Sequence, residues 1–409
     1  MRGFFPTIAY STITPTELDA ARHILMNGLS IGSGGGYTVG RELFRHIALQ
    51  RPGWRLTMAL LGGHSLHATF KSESLPGNCQ FLWAPAEAIG QSARTRYETR
   101  ALTSWAKANG VAAVVQLNGM IVRGMPVPTL SHCQDPWPYR PEAWGGLRSR
   151  VVAFLKRRRN ADAFRHAAVV GFTSQYLRDL MIARLGMRPR RAEVFYNGLP
   201  QEMLDRAARP LPGWTDRPME LISVSNVGYY KRQELVIRAV PELIKRPGLD
   251  QLVYRVVGHC ENDYRRHLER LIADLGVRRH VVLEGRLPDD RVNELFARAR
   301  AFVLMSVCES FGIPAIEAMS FGTPVVTSDC CAMPEVCGRA AVLSPVDDVP
   351  ALVENLGRVL TFADEAEGLR EAGVAQARRF RWTDTAEQMA QCLESMTGPV
   401  PAATRSGNQ

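Results

Sequence analysis

Lysine is scarce in this sequence. Of 50 basic residues in a chain of 409, only Lys71, Lys107, Lys156, Lys231 and Lys245 are lysines, so each one is a position worth weighing. No apolar stretch approaches the ~20 residues needed to cross a bilayer. Pro6 interrupts the apolar part of the first twenty residues, so no secretory leader is expected there. The eight cysteines, at 79, 133, 260, 308, 330, 331, 337 and 392, form no C-x-x-C pair and have no regular spacing. They read as small, mostly buried residues of a reducing compartment, and the chain is expected to be cytoplasmic. There is no D-x-D, and His64/His67 and Cys330/Cys331 lack further partners, so no metal site and no bound cofactor is expected. No finger, repeat or aromatic RNA-binding signature is present, which argues against nucleic acid as a partner.

What the chain does contain is a soluble globular composition, 46% apolar and 22% charged. The net charge of +10 is unevenly spread. Residues 1–200 carry 25 basic and 11 acidic side chains, a balance of +14, whereas residues 201–409 carry 25 and 29, a balance of −4. A basic half without nucleic-acid signatures points to a phosphorylated substrate or an anionic membrane surface. The run LKRRRNADAFRH (155–166) is the densest part of that charge; taken alone it reads as a solvated helix face, and only with the +14 of the whole half does a membrane-surface contact weigh equally.

Strand-like apolar runs alternate with amphipathic stretches along the whole chain, the pattern of parallel sheets covered on both faces. Strands are predicted at 23–29, 55–62, 79–84, 112–117, 128–132 and 167–174, with helices at 38–50 and 92–108 between them. The alternation restarts with strands at 220–226, 252–258, 280–285, 301–307, 324–328 and 340–344. The expected organisation is α/β: a Rossmann-like domain over 1–200, a Pro/Gly/Arg-rich linker over 201–218, a second Rossmann-like domain over 219–395, and a disordered tail over 396–409. The ligand site of such a pair is the inter-domain cleft, where the strand C-termini converge.

The segment 301–329, AFVLMSVCESFGIPAIEAMSFGTPVVTSD, carries the densest chemistry. A buried strand leads into a loop; Pro314 suits the first helical position and Gly322 the end of the helix. The loop would then deliver the backbone amides of Phe311, Gly312 and Ile313 at a helix N-terminus, a ready anion site. Glu309 precedes that helix and Glu317 lies about one turn inside it, so both carboxylates are able to face one ligand. Taken singly, Glu317 would only complement the helix dipole and Glu309 would be a loop acid.

The run ESFGIPAIEAMSFGTPVV (309–326) resembles the E-x7-E signature of retaining glycosyltransferases of family 4, which have the two-domain GT-B fold. Other segments follow in that family's order: GSGGG (32–36), VFYNGLP (194–200), SNVGYYKRQELVIRA (225–239), VVGHCEN (256–262), RHVVLEGRLPDDRVNELFARA (279–299) and RRFRWTDTAEQ (378–388). The resemblance spans roughly residues 22–395. It implies a nucleotide-diphosphate sugar as donor, held by the amides of Phe311, Gly312 and Ile313, with Glu309 against the transferred sugar and Glu317 on the ribose hydroxyls. It implies that Lys231 neutralises the leaving diphosphate, and that Gly285 and Arg286 line the base pocket. Where the family usually has an arginine five residues before that lysine, this chain has Asn226; Arg232 or Arg286 are the candidate replacements. His132, after the strand candidate PTLSH, matches a histidine that touches the donor sugar.

The loop GSGGG completes neither a P-loop nor G-x-G-x-x-G, so Gly34, Gly35 and Gly36 read as a turn that lets backbone approach sugar or diphosphate. Asp135, Trp137 and Tyr139 are candidates for an acceptor platform. The implied activity is metal-independent hexosyl transfer with retention, to a glycan or polyprenyl-phosphate-linked acceptor in cell-surface polysaccharide or lipopolysaccharide assembly, at the inner face of the membrane. A nucleotide-sugar epimerase on the same architecture and a non-catalytic sugar-nucleotide binding module are the alternatives.

Overall fold

A computed structural model describes residues 22–31, 35–62, 75–208 and 213–398. Gly34, the His64/His67 pair and the tail from residue 399 lie outside the described residues. The N-terminal lobe runs β1 (His23–Asn27), α1 (Gly35–Gln50), β2 (Arg55–Leu61), β3 (Cys79–Ala84), α2 (Gln91–Tyr97), α3 (Thr103–Ala108), β4 (Val111–Gln116) and β5 (Thr129–Cys133). It continues through α4 (Leu147–His166), β6 (Val169–Phe172), α5 (Gln175–Leu185), β7 (Ala192–Val194) and α6 (Gln201–Ala207). The C-terminal lobe runs β8 (Glu220–Val224), α7 (Gln233–Leu243), β9 (Val253–Val257), α8 (Asn262–Asp274), β10 (Val281–Gly285), α9 (Asp289–Arg298), β11 (Ala301–Leu304) and α10 (Ile313–Ser320). It ends with β12 (Val325–Ser328), α11 (Met333–Cys337), β13 (Ala341–Ser344), α12 (Val349–Thr361), α13 (Ala363–Ala377) and α14 (Trp382–Thr397).

Each lobe is built on one parallel sheet, in the orders β3-β2-β1-β4-β5-β6-β7 and β10-β9-β8-β11-β12-β13. Central strands such as VAAVVQ and AFVL are buried on both faces, which is why they read as continuous apolar runs rather than alternating ones. In each sheet the order reverses beside the first strand, at β1/β4 and at β8/β11. The crevice beyond the strand C-termini at such a reversal is where open α/β sheets bind ligands.

Three expectations are corrected. The segment 201–218 is not a loose linker. Its first part is α6, whose Met203 and Leu204 pack on the C-terminal core. Further on, Trp214 is buried with its indole N–H donating to the Arg300 carbonyl at 3.0 Å. Buried Arg217 donates to the carbonyls of Ala299 and Phe321. Second, α14 does not stay with the second domain. Trp382, Ala386, Met389, Ala390 and Leu393 join the core of the first sheet with Phe44, Ile47 and Leu56. Arg51 clamps the same helix through Glu387 at 2.8 Å and Glu394 at 2.9 Å. Third, the helix predicted at 92–108 is broken by a π turn over Glu98–Leu102 that places Glu98 in the interior. Such turns commonly accompany functional positions.

Candidate functional site

The site begins with the loop after β11. Buried Ser306 donates its hydroxyl to the Tyr230 carbonyl at 3.2 Å, and the Val307 amide donates to the same oxygen at 2.9 Å. These bonds bring the turn after β8 against the loop after β11 and set Lys231 beside Glu309, with Nζ donating to Oε1 at 2.5 Å. Both side chains are nearly buried, 12% and 10% exposed. Burial pulls the Lys231 ammonium down, but the charge and hydrogen bond of Glu309, helped by Tyr230, outweigh it and hold the group above the usual lysine value. The lysine is therefore a fixed positive charge in the cleft.

Gly312 opens α10 in the left-handed region, φ 86°, and a Cβ there would meet the Met333 sulfur at 2.6 Å, so only glycine fits. Pro314 sits second in the helix rather than first. The amides of Phe311, Gly312 and Ile313 have no hydrogen-bond acceptor among the described residues, which leaves a nest of donors at a helix start. The Phe311 ring is turned into the core against Phe380 and Tyr196, so only its backbone serves the cleft. Across the cleft, Ser174 at the start of α5 donates to the Ser310 carbonyl at 2.6 Å, tying this loop to the N-terminal lobe.

Between the lobes lies a cavity of about 820 Å³. Gly35, Gly36, Asn226, Lys231, Glu309, Phe311, Gly312, Ile313 and Glu317 all line it. Glu317 is half-buried in its wall; burial raises its carboxyl to about 7, and Asp289 adds to the rise. It therefore changes charge near neutral pH.

Five expected positions are not brought there. His132 lies inside β5, 1% exposed, edge-on to Phe195, and is not on the cavity wall. Successive strand residues face opposite ways, and Cys133, not His132, faces the cleft. Burial lowers the imidazole to about 4, so it is a neutral core histidine. Arg232 takes a left-handed backbone and turns its guanidinium to Glu234 at 3.4 Å and Asp347 at 3.7 Å. Gly285 and exposed Arg286 lie off the cavity wall, so neither arginine supplies the charge missing at Asn226. Tyr139 is buried, bonding Asn160 at 3.0 Å, whereas Asp135 and Trp137 do face the cleft, with Lys156 bridging them.

Sequence reasoning missed Arg94, Asn118 and Asn197. Arg94 lines the cavity from α2 and donates to the Leu29 carbonyl at 3.1 Å. Asn197 is buried on the wall with an oxygen that has no partner. The N-G pair in VFYNGLP was its only signal; Arg94 and Asn118 had none.

With this geometry in view, the comparisons fall into place. Residues 206–376 match the family Glycosyl transferases group 1. The matched region holds Lys231, Glu309 and Glu317, the charges that the C-terminal lobe brings to the cleft. The O-antigen chain mannosyltransferase B of Escherichia coli is 38% identical over 104 residues, 25% of this chain and 27% of that protein. The chain spans between 27% and 55% of the length of the curated relatives it matches. Solved structures match over both lobes. Alr3699/HepE of Anabaena, crystallised with UDP and glucose, has a TM-score of 0.71 at 17% identity, covering 91% of this chain and 100% of its own. WaaG, a glycosyltransferase involved in lipopolysaccharide biosynthesis, has a TM-score of 0.67 at 17% identity, covering 92% and 100%. The architecture is the GT-B fold of two facing Rossmann-like domains.

Proposed function

We propose that the chain is a retaining, nucleotide-sugar-dependent glycosyltransferase. The observation that carries this reading is the buried Lys231–Glu309 pair beside three free amides at the start of α10. Glu309 neutralises the lysine across the ion pair. A nucleoside diphosphate would take over the Lys231 ammonium and the amides of Phe311, Gly312 and Ile313, releasing Glu309 toward the sugar. Glu317 then accepts from the ribose hydroxyls as a carboxylate.

Charge that develops on the departing phosphate meets a fixed cation and fixed dipoles, which need no reorganisation during the step and no metal ion. The bond from the anomeric carbon to the diphosphate breaks as the acceptor hydroxyl attacks from the same face and passes its proton to the departing phosphate oxygen, which gives retention. The proposal includes a glycan or lipid-linked acceptor in cell-surface polysaccharide or lipopolysaccharide assembly; the likeness to an O-antigen chain mannosyltransferase and to WaaG of lipopolysaccharide biosynthesis supports that pathway. Proton NMR of the product anomer with candidate nucleotide sugars tests the reaction: retained configuration supports it, and inversion or donor epimerisation without transfer refutes it.

We also propose peripheral membrane contact through α4. Its Leu147, Val151, Phe154 and Leu155 stand exposed opposite the buried Ala153, Asn160, Ala163 and Phe164, with Arg148, Arg150 and Arg158 around them. No described helix is long and apolar enough to cross a membrane. Sedimentation with anionic vesicles should be salt-sensitive and should weaken in Phe154→Ser; binding unaffected by either would retire the contact.

A further inference from the structure

A second, smaller cavity of about 230 Å³ opens in the N-terminal lobe beside the first, sharing Gln91, Arg94, Asn118 and Met120 with it. Its remaining wall sets Glu98, Gln116, Arg123, Arg159 and Asp162 among the apolar side chains of Ile121 and Val122. Several of these groups lack what they need. Buried Asn27 donates to Glu98 Oε1 at 2.8 Å and to Gln116 Oε1 at 2.9 Å, which leaves the Gln116 amide nitrogen with no acceptor at a residue 1% exposed. An orphaned buried donor of this kind is costly unless a ligand atom accepts from it. Arg159, on α4, has no hydrogen-bond or ion-pair partner among the described residues, while Arg123 is held by Asp162 at 2.8 and 2.6 Å. Burial raises the Glu98 carboxyl above the usual range, although Asn27, Arg94 and Arg159 pull the other way. That rise reduces the charge it sets against an incoming anion.

We propose that this pocket is the acceptor subsite, and that it takes a hydroxylated molecule carrying a phosphate. The phosphate pairs with the open Arg159 fork, with Arg123 alongside; the hydroxyls meet Glu98 and the Gln116 amide. The shared edge at Arg94 and Asn118 then points the acceptor toward the donor cavity. The proposal rests on the glycosyltransferase reading, and it accounts for Glu98 being turned inward by a π turn.

The phosphate has two possible sources, a free sugar phosphate or a lipid-linked one, and the test separates them. Calorimetry on the full chain would use D-glucose 6-phosphate, D-glucose and inorganic phosphate, and sedimentation would use phosphatidylcholine vesicles with and without polyprenyl phosphate. Uridine and guanosine diphosphates are titrated in parallel. One of the phosphorylated probes should bind, glucose and phosphate alone should bind about tenfold weaker or less, and Arg159→Gln should cost about tenfold through a lost charge-assisted bond. Nucleotide affinity should stay unchanged in Arg159→Gln, and Arg184→Gln on exposed α5 surface should change nothing. Binding of glucose 6-phosphate assigns a soluble acceptor; binding only to polyprenyl-phosphate vesicles assigns a lipid-linked one. Nucleotide binding without either phosphorylated ligand overturns the subsite alone. So does phosphate binding that ignores Arg159→Gln or that nucleotide displaces. Loss of nucleotide binding as well overturns the underlying reading.

Discussion

Glu309 and Glu317 share a motif but occupy different physical situations. Glu309 is half of a buried ion pair, so removing it leaves the Lys231 charge nearly out of water. Truncation of one partner in such a pair typically costs about 3–5 kcal/mol. Glu309→Ala should therefore lower the melting temperature markedly, and the double change with Lys231→Met should recover much of the loss; equal loss in both would refute the coupling. Glu317 has no cationic partner among the described residues, and burial raises its carboxyl to about 7. Its carboxylate form, the one that the proposed ribose contact requires, exists above that value and disappears below it. Nucleotide affinity should therefore fall as pH drops from 8 to 6 in the wild type, and the slope should flatten in Glu317→Gln. A slope that persists in the variant would assign the titration elsewhere. Both glutamates were legible because they flank a loop and a helix start that Gly312 and Pro314 announce. His132 was misread because a strand end was placed one residue early: β5 continues through Cys133, and the register decides which side chain meets the cleft.

At the scale of elements, the join between lobes is tighter than a two-domain reading suggests. α14 leaves the C-terminal lobe and packs on the first sheet, and the chain crosses close to the segment VFYNGLP on its way. A Cβ on Gly198 would lie 2.2 Å from the Trp382 amide nitrogen, and the Leu199 amide donates to the Phe380 carbonyl at 3.0 Å. Gly198→Ala should displace the start of α14 and destabilise the N-terminal lobe by overpacking, by about 1–3 kcal/mol. Denaturation followed by circular dichroism reads this; a variant as stable as wild type would show that the crossing yields easily. The two sheets and their parallel order were readable from apolar runs. The crossing of α14 was not, because an amphipathic helix shows that it has a buried face but not which sheet covers it.

The whole molecule divides its charges by task. The lobe carrying −4 presents a few fixed positive and donor groups around the nucleotide position, while the lobe carrying +14 surrounds the second pocket with arginines and covers α4 with them. The N-terminal lobe also buries two neutral histidines. His23 and His132 are both lowered from 6.5 to about 4, chiefly by burial. Their folded values lie below the unfolded one, so each contributes stability that is present above pH 6.5 and lost as pH falls toward 4, on the order of 3 kcal/mol each. Glu317 works in the opposite sense, its contribution declining as pH rises from about 4.5 to about 7. Thermal melts between pH 7 and 4 should show a net acid loss that is reduced in His132→Gln; an unchanged profile would mean the histidine is not buried as a neutral ring.

The central claim is that the cleft holds a nucleoside diphosphate through Lys231. The most direct measurement is calorimetric titration of uridine and guanosine diphosphates into the wild type and Lys231→Ala. The account predicts saturable binding of at least one nucleotide by the wild type, weakened about tenfold or more in the variant. Binding of neither nucleotide, or equal affinity in the two proteins, would contradict it.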